Sequence, residues 1–123
     1  MSEFATSISC MDGRIQEPLC NWIKRNHNVE YVDVITEPGI DCSITDGVIA
    51  ASIRAKAEIS IRAHGSKLII ISGHHDCAAN PVSEEEHIGM IRDAVGVVSA
   101  WNLGIVVMGV WVDKSWNVTR IQT

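Results

Sequence analysis

No apolar run in this chain comes near the roughly 20 residues that a bilayer-spanning helix needs, and its first residues lack the basic start and apolar stretch of a secretory signal. A cytoplasmic protein without membrane contact is the expectation. Charge is also sparse: 20 % of the residues are charged, the formal net charge is -5, and neither sign collects into a block. The missing basic patch argues against nucleic acid as a partner. No repeat, low-complexity segment or linker interrupts the 123 residues, so they read as one domain over residues 1–123, small enough that a partner subunit would help it. Without an export signal, Cys10, Cys20, Cys42 and Cys77 read as reduced thiols rather than as two disulfides.

What is there is an alternation of strand and helix patterns. Ala5 to Ser9 reads as a first strand ending at Cys10, followed by a polar turn through Asp12, Gly13 and Arg14. Pro18 suits the first turn of a helix that carries Leu19, Trp22 and Ile23 and stops at His27 and Asn28. Val29 to Thr36 is rich in β-branched residues and precedes the turn signal Glu37-Pro38-Gly39. Ile49, Ile53, Ala57 and Ile61 fall four apart, with Gly65 where a C-terminal cap would stand. Lys67 to Ser72 holds the unbroken run Leu68-Ile69-Ile70-Ile71 of a strand buried on both faces, leading into Gly73-His74-His75-Asp76-Cys77. Ser83 and Glu86 form a capping box for a helix whose stripe of Ile88, Ile91, Val95 and Val98 runs toward Trp101 and Gly104. Ile105 to Val112 reads as a last buried strand, and Val118 to Ile121 as a short antiparallel addition.

This pattern predicts an α/β fold with a mainly parallel sheet of four strands, order 2-1-3-4, flanked by helices. In such sheets the functional crevice lies beyond the carboxyl ends of the strands, where the strand order reverses. That order sets the turn after Cys10 beside the turn from His74 to Cys77.

A histidine and a cysteine three apart after a buried strand can aim both side chains at one point, and thiolate with imidazole favours zinc. The spacing alone fits a core histidine beside a buried thiol equally well, and the pairing with Cys10 favours the metal. Three protein ligands leave a fourth position for water or substrate, as in catalytic zinc sites. Cys20 and Cys42 read as small buried hydrophobes.

Cys10-x-Asp12-x-Arg14, followed some sixty residues later by Gly73-His74-x-x-Cys77, resembles the zinc signature of the β-class carbonic anhydrases, a resemblance covering roughly Ala5 to Trp111. The resemblance implies zinc on Cys10, His74 and Cys77, with Asp12 and Arg14 as a dyad beside it. It also implies zinc-dependent hydration of carbon dioxide to bicarbonate by a zinc-bound hydroxide, and a homodimer or higher homo-oligomer with the cleft at its interface. Asp12 then has two roles open to it: to orient the hydroxide, or to bind zinc as a fourth ligand in a closed site until Arg14 draws it away. The chain departs from the family in its shortness and in Ala78, which stands where a glycine commonly follows the second cysteine. Its His74–Pro81 turn and Thr36–Gly39 loop are similar to those of reduced members. Two other functions stay in view: a zinc hydrolase of carbonyl sulfide or carbon disulfide, and a non-catalytic zinc protein closed by Asp12. A cysteine phosphatase is excluded, since its loop needs five residues between cysteine and arginine and Cys10 and Arg14 enclose three. His75 reads as a group beside the site or on the surface, His64 and His87 as solvated, and Trp101, Trp111 and Trp116 as core or subunit-contact residues.

Overall fold

A computed structural model of the chain describes residues 3–123. Its centre is a five-stranded sheet of order β2-β1-β3-β4-β5, made of β1 (Phe4–Ser9), β2 (Tyr31–Thr36), β3 (Leu68–His74), β4 (Val106–Val112) and β5 (Val118–Ile121). The first four strands are parallel and β5 joins β4 antiparallel, as the alternation predicts. Parallel neighbours require crossovers, and the helices that supply them cover both faces. On one face, α1 (Gly13–His27) buries Ile15, Leu19 and Ile23 against Ala5, Ile70 and Val110. On the other, α3 (Gly47–His64) and α4 (Glu84–Ser99) pack Ile53, Ala57, Ala94, Val95 and Val98 over Ile8, Ile69 and Ile71. Each fully buried isoleucine, leucine or valine among them contributes about 1.5–3 kcal/mol.

Local chemistry sets where the elements begin and end. The expected polar turn at Asp12–Arg14 is instead the start of α1: Asp12 is its N-cap, with its carboxylate accepting the Arg14 N–H. Pro18 therefore falls in the second turn rather than the first, where its missing N–H removes one helical bond. β2 starts at Tyr31 instead of Val29 and lies at the sheet edge, largely unburied. β3 runs two residues past Ser72 because its ladder with β4 continues through Gly73↔Trp111 and His74↔Val112. Asp46 caps α3 at one end and Gly65, at φ 68°, closes it at the other. The Ser83–Glu86 capping box is formed at the start of α4. That helix stops at Ser99, short of Trp101; Gly104 follows within a turn that takes left-handed conformations at Asn102 and Gly104. A four-residue helix that the sequence pattern did not predict, α2 (Ile40–Ser43), follows the left-handed Gly39.

Helix α4 sits close on the sheet, and two glycines allow it. A Cβ on Gly109 would come within 2.5 Å of Ile91 Cγ2, and one on Gly73 within 3.0 Å of Ile91 Cδ1 and 2.6 Å of an Asp41 carboxylate oxygen. Gly109→Ala is expected to destabilise the protein by about 1–3 kcal/mol through forced repacking. Urea denaturation checks this, and an unchanged midpoint would show that α4 can lift freely.

Candidate metal centre

Three donors meet at the carboxyl ends of β1 and β3. Cys10 follows β1 directly, His74 is the last residue of β3, and Cys77 lies in the loop beyond it. All three are buried, and one ligand atom of each lies within 4.8 Å of the others. The two sulfurs stand 4.0 Å apart. Two thiolates on one tetrahedral zinc, each at about 2.3 Å, stand about 3.8 Å apart, so little movement is needed. Zinc therefore fits the donor set.

The histidine is poised for such an ion. His74 Nδ1 is 2.8 Å from the carbonyl oxygen of His75, which can only accept, so Nδ1 carries the hydrogen. Nε2 is then left with a lone pair, and it is buried without a hydrogen-bond partner. A carbonyl fixing one ring nitrogen while the other stays free is the usual arrangement of a metal-binding imidazole. Burial pushes the Cys77 thiol up, and the neighbouring Cys10 adds to this, against backbone N–H groups of Ala79 and Asn80 that favour the thiolate. Cys10 Sγ receives the Gly39 N–H at 3.4 Å. Without a cation the pocket resists two thiolates, and with one it would hold both.

Asp12 and Arg14 stand at the rim. Arg14 donates from Nε to Asp12 Oδ1 at 3.0 Å and from Nη2 to Oδ2 at 2.7 Å. This forked pair holds the Asp12 carboxyl down at about 2, with burial opposing the shift. Arg14 is in turn raised further above its ordinary range, by Asp12 first and by Asp76 second. A concavity of about 450 Å³ opens beside Cys77, between the His75–Cys77 loop and Pro81–Glu84. Another, about 480 Å³, lies near the starts of β3 and β4 but is lined by no histidine, cysteine or carboxylate.

The remaining candidates separate clearly. His75 is exposed, and its backbone N–H bonds Val112 O. His64 is exposed near the starts of the strands, its Nδ1 2.6 Å from Asp33 and its ring stacked on Phe4. Ser60 donates to the same Asp33 oxygen rather than to His64, so these three do not form a nucleophilic relay. Cys42, expected inside, is exposed on α2, and Cys20 is half-buried. Trp111 is buried, whereas Trp101 and Trp116 are partly buried against the two cores.

His87 corrects the sequence expectation most sharply. It is 1 % exposed, not solvated, with Nδ1 2.5 Å from Asp41 Oδ2. Asn80 donates to Asp41 Oδ1 at 3.1 Å, so loop, α2 and α4 join in one buried cluster. A signal for this was present: His87 lies four residues before Ile91, on the same stripe as Ala94, Val95 and Val98. Asp41 gave no comparable sign.

Among the described residues no helix is long and apolar enough to cross a membrane. A family model described as "Putative carbonic anhydrase" matches residues 1–122. No curated protein sequence matches the chain. Among solved structures, the carbonic anhydrase of Streptococcus mutans is similar at 17 % identity and TM-score 0.63, over 95 % of this chain and 81 % of that one. Tetrameric β-carbonic anhydrases of Sordaria macrospora give 16 % identity and TM-score 0.66, over 99 % and 81 %. Isoform I of the Trichomonas vaginalis β-carbonic anhydrase gives 19 % and 0.60, over 94 % and 81 %.

Proposed function

From the premise that this chain belongs to the carbonic anhydrase family matched over residues 1–122, we propose that it is a zinc enzyme hydrating carbon dioxide reversibly to bicarbonate. The observation that carries the reading is the unpartnered, buried His74 Nε2 facing two thiols, a donor set suited to zinc. Cys10, His74 and Cys77 would hold the ion, which when bound supplies an acidified water and so a hydroxide nucleophile near neutral pH.

The chain's own groups supply the orientation. Arg14 keeps Asp12 ionised, and its three donors (N, Nε and Nη2) occupy most of the carboxylate's acceptor sites. About one acceptor position is left on Asp12, enough to take a hydrogen bond from the nucleophile and aim its lone pair at the substrate carbon. Engagement of both Asp12 oxygens by Arg14 supports the open site over one closed by Asp12. The whole chain acts as one domain in this reading, in the cytoplasm, and as a homo-oligomer. The tetrameric relatives and exposed Tyr31 and Val34 on the edge strand support the last point.

The test is metal analysis with stopped-flow carbon dioxide hydration on wild type and Asp12→Ala. Stoichiometric zinc, with hydration that drops about 10²-fold or more in the variant, is the expected result. Zinc without hydration would turn the reading toward carbonyl sulfide, carbon disulfide or a non-catalytic role, and absence of zinc would sink it.

A further inference from the structure

The Asp12–Arg14 pair is held by groups outside the pair itself. Arg14 Nη1 lies 3.2 Å from Asp76 Oδ2, and Nη2 donates to the Asp76 carbonyl oxygen at 3.0 Å. The flat face of the guanidinium is covered by Trp116, whose ring centroid is 5.0 Å from Cζ. An arginine side chain that is 47 % exposed would otherwise be free to swing into solvent. Here its edge is tied by the His74–Cys77 loop and its face by the β4–β5 turn.

The backbone of those two segments is unusual at the contacting residues. Asp76 and Trp116 both take left-handed conformations, at φ 57° and φ 62°. Aspartate tolerates that region, whereas a bulky tryptophan rarely occupies it. The turn is built around Asp113, whose carboxylate accepts the N–H groups of Ser115 and Asn117 and whose carbonyl accepts that of Trp116. Glycine or asparagine at 116 would serve such a turn with less strain. The turn therefore has no need of tryptophan, and the ring over Arg14 supplies a reason for one.

We propose that Trp116 and Asp76 are positioning residues that lock Arg14 onto Asp12 and so keep the Asp12 carboxylate off the metal. The inference rests on the zinc-site reading above. It goes beyond it by assigning the open state to a clamp built from the β4–β5 turn and the loop between two ligands. The bland role for Trp116, covering the α1 core with Val118, needs only an apolar side chain. The locking role needs an aromatic face, and that difference makes the two separable.

The test uses the full chain loaded with cobalt(II), with thiocyanate binding followed by visible absorption, since the anion needs the position that Asp12 would otherwise take. Trp116→Leu is expected to weaken thiocyanate binding about fivefold, and Trp116→Phe to stay within about twofold of wild type. Adding Asp12→Ala to Trp116→Leu is expected to restore the affinity, because the competing carboxylate is gone. Wild-type affinity in Trp116→Leu at equal cobalt content overturns the proposal, as does a loss that Asp12→Ala fails to relieve. Should Trp116→Leu not fold, Asp76→Ala at an exposed position carries the same test, with a loss of about twofold relieved by Asp12→Ala. An unchanged affinity there overturns the clamp. A wild-type chain that takes up no cobalt fails the zinc-site reading itself, a result distinct from every variant outcome.

Discussion

Cys77→Ser is expected to reduce bound zinc from a stoichiometric level to background while leaving the metal-free fold within about 1 kcal/mol of wild type. The two sulfurs lie 4.0 Å apart in a buried pocket, and burial, with Cys10 beside it, makes Cys77 harder to ionise. Removing one therefore relieves the metal-free protein even as it dismantles the donor set. The signature is a difference between conditions. With free zinc at 100 times its dissociation constant, wild type should gain about 2.7 kcal/mol of stability, and Cys77→Ser should gain almost none. Chelator should lower the wild-type melting temperature and leave the variant's unmoved. Zinc retained by Cys77→Ser after dialysis would mean that the ion sits elsewhere.

Asp41→Ala should be the most damaging substitution away from the thiols, at about 2–5 kcal/mol, because two buried hydrogen bonds lose their acceptor. Asp41 is 3 % exposed and holds His87 Nδ1 and Asn80 Nδ2 through its two oxygens. Its loss would leave His87 in the interior with only the long 3.5 Å contact from Nδ1 to Asn80 Nδ2, because His87 Nε2 already has no partner. Against a typical total of about 5–15 kcal/mol, such a loss approaches unfolding. Asp41→Asn, which keeps one acceptor, should suffer less. Chemical denaturation of the two variants decides it: a midpoint for Asp41→Ala within about 1 kcal/mol of wild type would mean that water replaces the carboxylate without penalty.

The sheet order and the convergence of Cys10 with His74 and Cys77 were legible because both follow from local pattern plus one topological rule. Leu68-Ile69-Ile70-Ile71 is hard to read as anything but a central strand, and the parallel order then brings its far end beside that of β1. What escaped was chemistry that depends on distant partners. His87 looked solvated beside Glu84, Glu85 and Glu86, yet the capping box at Ser83 rotates it inward, and only the position of Asp41 makes that tolerable. Asp41 itself lies on a helix too short to carry a period. The start of α1 departs from its local signal for a related reason: Pro18 favours a start beside it, but the Asp12 cap, five residues earlier than a proline-led start implies, prevails. Cys42 could not be told from a core thiol without knowing which way α2 turns.

Strand alternation sends His74 to the face covered by α1 and Gly73 to the face covered by α4, so the donor set and the Asp41–His87–Asn80 cluster stand back to back across one backbone. Asn80 belongs to both sides, since its side chain reaches Asp41 and its backbone N–H is bonded to the Cys77 carbonyl. A slip of β3 along its axis would displace a candidate ligand and loosen a buried hydrogen-bond cluster in the same movement. Mechanically, the last two residues of that strand are a rivet through the sheet, with one head in each layer.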